Sequence, residues 1–456
     1  MNNSNLHVVI GLGATGLSCV RFLLKQHIPV VVMDTRDIPP NLAQFQKDYP
    51  TVPVYTGHEW PQAILNQAKA LVVSPGISIA IAPIAQAKAH GVEIIGDIEL
   101  FARINKAPVI AITGSNGKST VTTLVGEMAR VAGRKVAVVG NIGTPVLDVF
   151  DEGMPAFDLI VMELSSFQLE TTYSLQPLAA TVLNVTPDHM DRYDSLADYA
   201  SAKHRIFMNA QHVIINQDDP LSQSAQISNL AKKSFFTTAV PTQNQFGLRT
   251  LEGKMWLALG EQNILPADTL KIVGKHNLAN ALSALALGAA ADLPMKEMLQ
   301  ALVSFNGLSH RCQWVAEKEG IRWINDSKGT NIGACQAALE GIGQQLLGKI
   351  VLLLGGDGKG ADFADLSSQV IKYCRAIIVM GKDGSRILAE LGESIQSYAA
   401  GSMQEAVEIA ASCAQSGDVV LLSPACSSLD QYQNFSHRGE IFMDTVKAVL
   451  GHAHVG

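Results

Sequence analysis

The sequence predicts an α/β protein of three domains: an N-terminal Rossmann-like domain, a central P-loop ATPase-like domain with a parallel sheet, and a C-terminal Rossmann-like domain. Three observations lead to this prediction. Short apolar runs alternate with helical periodicity along the chain. Two glycine-rich motifs each follow an apolar run and open a helix. The 456 residues exceed what one hydrophobic core usually serves, and we place the domains at residues 1–96, 97–306 and 307–456.

The composition is that of a well-packed globular protein, with 47% apolar and 16% charged residues. A net charge of −7 argues against a nucleic-acid partner, because binding to a phosphate backbone leaves a basic surface. Six scattered cysteines form no C-x-x-C pair, which argues against a disulfide framework and a zinc site. The N-terminus lacks the features of a signal peptide, and no apolar run is long enough to cross a bilayer. We therefore expect a cytoplasmic protein without membrane insertion.

The first unit carries a dinucleotide-binding fingerprint. A strand over residues 7–10 precedes the motif Gly11-x-Gly13-x-x-Gly16, a helix follows, and a second strand ends at Asp34-Thr35-Arg36. This spacing lets a pyrophosphate approach a helix N-terminus while the acid binds a ribose. Two interpretations stay open, NAD(P) redox chemistry and a nucleotide-sugar or vestigial site. A further strand ends in Ser74-Pro75-Gly76, which is equally well an ordinary turn or a ligand contact.

The central unit begins with a phosphate-binding loop. A buried strand over residues 108–112 breaks into Gly114-x-x-Gly117-Lys118-Ser119, and a helix follows. Backbone N–H groups and the helix N-terminus favour phosphate there, while the lysine reaches the outer phosphates and the hydroxyl holds Mg²⁺. The strict motif needs a glycine at position 112, where this chain has isoleucine. The alternative is a polar turn between strand and helix.

Polar side chains follow the next strands of the central unit. Glu163, at the tip of a strand, is placed to ligate Mg²⁺, although an exposed glutamate is the alternative. The loop with Asp188 and His189 follows another strand end, and it faces the phosphates or is merely hydrophilic. Lys203 lies about a helix further on, where a lysine is usually exposed. Asn277 is expected to cap the long helix over residues 278–291, with a nucleotide contact as the less favoured interpretation. Residues 232–272 show the alternation of a small antiparallel excursion.

The last unit again alternates strands and helices, which predicts a third parallel α/β unit. Its strand ends carry Asp, Lys, Ser and Gly at residues 325–331, 355–360 and 423–428. The chain thus offers a nucleotide site in the first unit, an ATP site in the central unit and polar strand ends in the last unit. An enzyme that uses ATP to join a nucleotide-linked acid to a small charged molecule needs these three sites. An NAD-linked oxidoreductase and a nucleotide-switch protein are the rival interpretations.

The chain resembles the Mur ligase family, the ATP-dependent amide-bond ligases of peptidoglycan precursor synthesis, over essentially its full length. The motifs that carry the resemblance are TGSNGKST, GNIGTP, ELSSFQLE, NVTPDHMDRY, GKHNLANALSALA, HRCQW, NDSKGTN, LLGGDGKGADF and LLSPACSSLDQYQNFSHRG. Two of them, ELSSFQLE and SPACSSLDQYQNFSHRG, are similar to the member that adds D-glutamate to UDP-N-acetylmuramoyl-L-alanine. The resemblance thus implies these two substrates as partners, ATP and two Mg²⁺ ions as cofactors, and an acyl-phosphate intermediate.

The resemblance also implies residue roles. ATP is bound by Gly114, Asn116, Gly117, Lys118, Ser119, Thr120, Asn277, Arg311 and Asp326. Mg²⁺ is held by Ser119, Glu163, His189 and Lys203, and CO₂ converts Lys203 into a carbamate. The catalytic residues are Lys118, His189, Lys203 and Lys328. The UDP substrate uses Ala14, Thr15, Asp34, Thr35, Arg36, Gly76 and Asn141, with His189 also near its muramoyl end, and D-glutamate uses Lys328, Thr330, Lys359, Ser428, Leu429 and Phe435. Gly329 stands where a small residue such as alanine is expected.

Three domains around one site also predict hinge motion. We expect the third unit to swing and bring Lys328 and Lys359 onto the substrates, with hinges near residues 95–97 and 305–308. In this interpretation the glycine fingerprint of the first unit binds uridine diphosphate. We further expect the protein to be a monomer.

Overall fold

A computed structural model of the chain describes residues 5–151, 156–224, 227–272, 274–344, 346–392, 395–451 and 454–455. It contains three sheets in succession along the chain, each flanked by helices. The predicted three-domain α/β fold is confirmed. The boundaries that we placed after residues 96 and 306 fall in segments between the sheets. Among the described residues, none of the helices combines the length and apolar character needed to span a lipid bilayer.

The first unit is a five-stranded parallel sheet with helices on its faces. Its strands are β1 (His7–Ile10), β2 (Val30–Asp34), β3 (Val54–Thr56), β4 (Ala70–Val73) and β5 (Glu93–Ile95). Its helices are α1 (Ala14–Lys25), α2 (Leu42–Asp48), α3 (Gln62–Gln67) and α4 (Ala82–Ala89). The strand order is β3-β2-β1-β4-β5. Because β1 lies between β2 and β4, the glycine motif, Asp34 and the Ser74-Pro75-Gly76 turn meet at one edge of the sheet.

The close approach of α1 to β1 requires a glycine at position 16. A Cβ atom on Gly16 would lie 1.8 Å from the carbonyl oxygen of Gly11, whereas a Cβ on Gly13 would meet no heavy atom within 4 Å. We expect Gly16→Ala to destabilise the protein by about 3 kcal/mol through overpacking against backbone. Gly13→Ala is the matched control and is expected to keep the wild-type melting temperature. Equal melting temperatures of the two variants would contradict this packing.

The central unit contains a nine-stranded sheet. Its strands are β6 (Val109–Thr113), β7 (Val136–Gly140), β8 (Leu159–Glu163), β9 (Ala179–Val182), β10 (His212–Asn216), β11 (Lys232–Phe236), β12 (Gln245–Leu251), β13 (Lys254–Leu259) and β14 (Gln262–Pro266). Its helices are α5 (Asp97–Ile104), α6 (Lys118–Val131), α7 (Ser166–Glu170), α8 (Leu196–His204), α9 (Lys275–Ala290) and α10 (Met295–Ser304).

The strand order of this sheet is β14-β13-β12-β11-β10-β9-β6-β8-β7. The predicted antiparallel excursion is correct for β12 to β14, and wrong for β11, which pairs in parallel with both β10 and β12. All five residues of β6 are buried. Since β8 and β9 flank β6 in parallel, the tips of these three strands lie side by side.

The C-terminal unit contains a seven-stranded sheet. Its strands are β15 (Gln313–Lys318), β16 (Ile321–Asn325), β17 (Ile350–Gly355), β18 (Cys374–Met380), β19 (Gln396–Ala399), β20 (Val419–Leu422) and β21 (His454–Val455). Its helices are α11 (Ile332–Gly343), α12 (Ser367–Tyr373), α13 (Gly384–Leu391), α14 (Met403–Cys413) and α15 (Phe435–Leu450). The order is β19-β18-β17-β20-β16-β15-β21. The predicted parallel pairing is correct from β19 to β16 in this order, whereas β15 pairs antiparallel with both β16 and β21.

The apolar clusters divide the three units unequally. One cluster joins strand residues of the first sheet, such as Val9 and Val72, to residues of the central sheet, such as Ala111 and Met162. The two clusters of the C-terminal unit consist of its own residues. Residues 95–98 are buried, with Ile95 and Ile98 in the shared cluster. This arrangement favours motion of the third unit and gives no support to a hinge near residues 95–97.

Candidate active site

The phosphate loop connects β6 to α6, and it depends on two glycines with positive φ. Gly114 has φ 151° and Gly117 has φ 85°. A Cβ atom on Gly117 would lie 2.3 Å from Oδ1 of Asn280, and one on Gly114 would lie 3.2 Å from the backbone nitrogen of Asn184. Both positions are therefore restricted to glycine by conformation and by space. The helix begins directly after the loop, at Lys118, so its N-terminal N–H groups face the loop.

Lys118 lies across this loop. Its Nζ donates to the carbonyl oxygens of Gly114 at 2.8 Å and Ser115 at 2.9 Å. Burial lowers the pKa of Lys118, while the carboxylates of Glu163 and Asp188 oppose that shift. The ammonium group is thus held where the motif predicts the outer phosphates.

Lys203 approaches the same loop from α8 and is only 1% exposed. Its Nζ donates to the carbonyl oxygen of Gly114 at 3.0 Å and lies 4.2 Å from the ring centroid of Tyr199. The expectation of an exposed lysine at this helical position is wrong, because the helix turns this side chain toward the loop. Burial, followed by the charge of Lys118, lowers the pKa of Lys203 well below its usual value. The uncharged amine is the form that reacts as a nucleophile.

Glu163, at the end of β8, is 1% exposed, so the interpretation as an exposed glutamate is wrong. Its Oε1 accepts a hydrogen bond from Nδ2 of Asn141 at 2.8 Å. Its Oε2 is buried and has no hydrogen-bond partner among the described residues. A buried carboxylate oxygen without a partner is costly unless a cation or a donor meets it. The predicted role as a Mg²⁺ ligand fits this open oxygen.

His189 has φ 57° and lies in the loop after β9. Its ring meets the ring of Phe167 edge to face at a centroid distance of 4.9 Å. Burial lowers the pKa of His189 to about 4, with the charge of Asp188 opposing that shift. The imidazole is therefore neutral near pH 7, which is the form that ligates metal ions.

Asp188 is one of the residues through which the central and C-terminal units are joined. Its Oδ1 accepts from Nζ of Lys359 at 2.5 Å, and its Oδ2 accepts from Nδ2 of Asn331 at 3.1 Å. Burial would raise the pKa of Asp188, but the charge of Lys359 and these hydrogen bonds lower it to about 2. An ionised Asp188 thus holds two residues of the third unit beside the phosphate loop.

The predicted metal ligands supply a partial donor set. Glu163 and His189 each present a suitable atom, and the hydroxyl of Ser119 accepts from Nη2 of Arg311 at 3.2 Å. Within the described ranges, no group of three or more His, Cys, Asp or Glu side chains is placed to hold a metal ion. A carbamate on Lys203 would add an anionic group to this donor set.

A cavity of about 440 Å³ lies between the central and C-terminal units. Its apolar walls come from both units and include Leu183, Phe236, Ile272, Leu308, Ala334 and Ala338. Its polar lining includes Asn184, Asn277, Asn280, Asn306, Arg311 and Asp326. A mostly apolar cavity with a few amides and two arginines, Arg311 and Arg322, suits a nucleoside attached to phosphates.

Two predicted ATP residues of this cavity have defined partners. Asn277 lies in the first turn of α9, whose cap is Gly274, so the interpretation of Asn277 as the helix cap is wrong. Asn277 Oδ1 accepts from Nδ2 of Asn280 at 3.2 Å. Asp326 accepts from the backbone N–H of Cys312 at 3.1 Å and from the hydroxyl of Ser423 at 2.7 Å. Burial raises the pKa of Asp326 to about 6.

The predicted D-glutamate residues follow β16, β17 and β20. Nζ of Lys328 lies 3.7 Å from the ring centroid of Phe435, and burial, with the charge of Arg311, lowers the pKa of Lys328 to about 8. The loops that carry Lys359 and Ser428 are joined, since the N–H of Ser427 donates to the carbonyl oxygen of Asp357 at 2.8 Å. Ser428 is buried, whereas Leu429 is 72% exposed. The backbone N–H of Thr330 donates to the carbonyl oxygen of Lys328 at 2.9 Å.

The residues predicted to bind UDP lie at the edge of the first sheet. Asp34 is fully buried, and its Oδ2 accepts from the backbone N–H of Leu12 at 2.7 Å. Arg36 binds both oxygens of Asp34, with Nε at 2.9 Å and Nη2 at 2.7 Å. Asp34 therefore positions the glycine loop and the half-exposed Arg36. The neighbouring Gly76 is open, since a Cβ there would meet no heavy atom within 4 Å, and Ala14 and Thr15 begin α1.

Several functional side chains were missed by the sequence prediction. Asn184 clamps the phosphate loop, since it accepts from the N–H of Asn116 at 2.8 Å and donates to the carbonyl oxygen of Asn116 at 3.0 Å. The signal for Asn184 is its position just after a strand beside the loop. Asn280 follows Asn277 by three residues, which places both on one face of a helix. Asn331 ends the NDSKGTN motif and carried no separate signal.

A phosphate loop that faces a second α/β unit across a nucleotide-sized cavity, together with a separate Rossmann-like unit, defines a multidomain nucleotide-dependent enzyme. Comparison with known families assigns all three units. The family description "Mur ligase MurD-like, N-terminal domain" matches residues 5–96, "Mur ligase middle domain" matches residues 112–288, and "Mur ligase, glutamate ligase domain" matches residues 310–426. The chain belongs to the Mur ligase family.

Similar sequences extend over nearly the whole chain. A relative from Pseudomonas putida named "UDP-N-acetylmuramoylalanine--D-glutamate ligase" is 49% identical over 440 residues, covering 96% of this chain and 97% of its own. Relatives with the same name from Pseudomonas syringae pv. tomato and Legionella pneumophila are 50% and 48% identical over 98% of this chain, and 99% and 100% of their own lengths are covered.

Solved structures share the fold at low sequence identity. A pseudomurein peptide ligase type C from Methanothermus fervidus matches with a TM-score of 0.62 and 16% identity, covering 98% of this chain and 100% of that one. The UDP-N-acetylmuramate-alanine ligase from Thermotoga maritima matches with a TM-score of 0.61 and 18% identity, covering 98% and 99% of the two chains. Both likenesses concern the three-unit architecture.

Proposed function

We infer that the protein is an ATP-dependent ligase that joins D-glutamate to UDP-N-acetylmuramoyl-L-alanine in peptidoglycan precursor synthesis. The observation that carries this inference is the convergence of cationic side chains from two units on the phosphate loop. Lys118 lies in the loop, Arg311 from the third unit contacts Ser119, and the charges of Arg311 and Lys118 both act on Lys328. The relatives named above support the choice of substrates.

The chemistry needs this concentration of positive charge. A carboxylate is a poor acyl donor because its oxygen leaves badly. The alanyl carboxylate therefore first attacks the γ-phosphorus of ATP, the bond to the β,γ-bridging oxygen breaks, and ADP leaves, which gives an acyl phosphate. The amine of D-glutamate then attacks the carbonyl carbon of the acyl phosphate, and inorganic phosphate leaves. The protein chiefly holds the reactants in line and neutralises their charges. Lys118 and Arg311 act on the phosphates, and Lys328 acts on the carboxylates.

Mg²⁺ neutralises phosphate charge and orients the transferred group when bound. We place it on Ser119, Glu163, His189 and Lys203, and two ions fit the charge of the reactants. Lys203 takes part as a carbamate: its uncharged amine attacks the carbon of CO₂ and loses a proton, and the product carries one negative charge shared by two oxygens. Three features support this assignment, the open oxygen of Glu163, the neutral imidazole of His189 and the lowered pKa of Lys203.

The two substrates reach the loop from opposite sides. The uridine diphosphate group binds at the edge of the first sheet, near Arg36 and Gly76. Asn141 donates to Glu163 at 2.8 Å, and this position beside the proposed metal ligand supports a contact of Asn141 with the muramoyl end. D-Glutamate carries two carboxylates, and Lys328 and Lys359 bind them. Lys359 already forms an ion pair with the carboxylate of Asp188, which is the kind of contact proposed for a carboxylate of D-glutamate.

The cellular setting follows from the chemistry. ATP and nucleotide-linked sugars are cytoplasmic metabolites, so we place the reaction in the cytoplasm. All six cysteines are free thiols, which agrees with a reducing compartment. The proposed site is built from one chain, so we expect an active monomer. Light scattering at the assay concentration checks this by measuring the molar mass.

The function is tested by phosphate release from ATP with UDP-N-acetylmuramoyl-L-alanine and Mg²⁺. D-Glutamate is compared with L-glutamate, L-alanine and a diamino acid as acceptor. Release with D-glutamate alone, with a product heavier by one glutamyl unit, is the expected result. Release with a different acceptor would overturn the substrate assignment, and no release with any acceptor would overturn the ligase activity.

The pKa of Lys328 predicts how acceptor use depends on pH. This pKa is lowered to about 8, so the side chain loses its charge and its affinity for a carboxylate as the pH rises through that value. Lys328→Arg keeps its charge across this range. We expect kcat/KM for D-glutamate of the wild type, divided by that of Lys328→Arg, to fall about tenfold between pH 7 and pH 9. The ratio removes the titration of the substrate amine, and a constant ratio would contradict the role of Lys328.

A further inference from the structure

Asn331 connects the C-terminal unit to the central unit at the phosphate loop. We propose that Asn331 is a positioning residue, a latch that seats the third unit on the loop and thereby sets the affinity for the acceptor amino acid. The link to the acceptor rests on the proposed function, whereas the seating of the unit does not.

The side chain of Asn331 makes three hydrogen bonds and is 6% exposed. Its Oδ1 accepts from the N–H of Ala334 at 2.9 Å, which caps α11 within the third unit. Its Nδ2 donates to Oδ1 of Asn116 at 3.3 Å and to Oδ2 of Asp188 at 3.1 Å, and both of these residues belong to the central unit. The amide has one orientation, because the reverse would place its oxygen against the Asp188 carboxylate.

Both partners of Asn331 are themselves held in place: Oδ1 of Asp188 accepts from Nζ of Lys359 and from the backbone N–H of His189 at 2.9 Å. Asn116 is bonded to Asn184 through two backbone contacts, and its Nδ2 donates to the hydroxyl of Thr186 at 3.2 Å. The first turn of α11 lies directly on this group, since a Cβ atom on Gly333 would be 3.0 Å from Oγ1 of Thr186. The amide of Asn331 therefore meets fixed positions on the phosphate loop.

The latch acts on the acceptor site through the chain. Lys328 and Thr330 precede Asn331 by three residues and one residue, and both are proposed to bind D-glutamate. The C-terminal clusters contain only residues of their own unit, so polar contacts such as these orient it. Arg311 and Lys359 also cross between the units, but both are cations that the substrates engage. Asn331 is neutral and contacts protein groups.

The latch is tested by separating its two functions with Asn331→Ser. A serine hydroxyl still caps α11, but both donors to the central unit are lost. Ser402→Ala is the matched control, because Ser402 caps α14 of the same unit through the N–H of Glu405 at 3.2 Å. We expect Asn331→Ser to raise the KM for D-glutamate about tenfold or more, the effect of losing a hydrogen bond to a charged group. The KM for the UDP substrate stays at the wild-type value.

The control is expected to behave in the opposite way: Ser402→Ala lowers the melting temperature and leaves both KM values unchanged. A wild-type KM for D-glutamate in Asn331→Ser, or an equal rise in both KM values, would overturn the effect on the acceptor. Solution scattering with an ATP analogue tests the seating without the reaction. The radius of gyration of Asn331→Ser is expected to exceed that of the wild type, and identical values would overturn the latch. If the wild type uses no acceptor, the proposed function fails and this comparison still decides the seating.

Discussion

Lys203→Ala is expected to reduce turnover roughly a thousandfold, the scale of losing one preorganised charged group at a reacting centre. The amine of Lys203 is buried and bonded to the carbonyl oxygen of Gly114. Helix α8 contains no other lysine that could replace it. The alanine leaves space beside the loop, and a short-chain acid such as formate or acetate is expected to restore part of the activity. The measurement is phosphate release with increasing concentrations of the acid.

Two further substitutions separate the carbamate from the packing. Lys203→Arg keeps a cation that cannot be carbamylated. It is expected to be as inactive as the alanine variant is in the absence of added acid. Lys203→Met keeps the alkyl chain, so its melting temperature shows whether packing alone is preserved. Strong activity of Lys203→Ala without added acid would contradict the proposed role.

Lys118→Ala is expected to reduce turnover by a similar factor, roughly a thousandfold, but without rescue by any acid. Lys118 supplies a positive charge to the phosphates, and an added carboxylate has the wrong sign. The affinity for ATP, measured by calorimetry, is expected to fall together with turnover. Rescue of this variant by acetate, or turnover near the wild-type level, would contradict the assignment.

The pair of lysines makes a sharp comparison because both donate to the carbonyl oxygen of Gly114, at 2.8 Å and 3.0 Å. Both amines contact the same carbonyl oxygen, and the proposed chemistry gives them different roles. A difference in rescue therefore reports the carbamate, whereas equal behaviour of the two variants toward acids would contradict the carbamate.

Local sequence patterns predicted correctly those features of the fold that depend on residues close together in the chain. Short apolar runs predicted strands in all three sheets, although β3, β10, β19 and β21 were not predicted. The Gly114-x-x-Gly117-Lys118 spacing predicted the loop before α6. Glu163 and His189 were found because the tips of parallel strands meet at one edge of a sheet. The direction of β11 was predicted wrongly, since it pairs in parallel with β10 and β12. Whether neighbouring strands are parallel depends on the path of the connection between them.

Burial and polar pairing could not be obtained in the same way. Lys203 lies 89 residues from its partner Gly114, and Asn331 lies 143 residues from Asp188. No periodicity relates positions so far apart. Asp34 illustrates the point, since its place in the fingerprint predicted a ribose contact, whereas its oxygens are bonded to Leu12 and Arg36.

The sequence by itself determined the α/β architecture, the phosphate loop and the family resemblance, because each depends on residues that are adjacent or regularly spaced. The tertiary structure alone decided that Lys203 is buried with a lowered pKa, that Glu163 keeps one oxygen open, and that Asn331 joins two units. These properties depend on the local dielectric and on which groups meet across space, and both arise only when distant segments pack together.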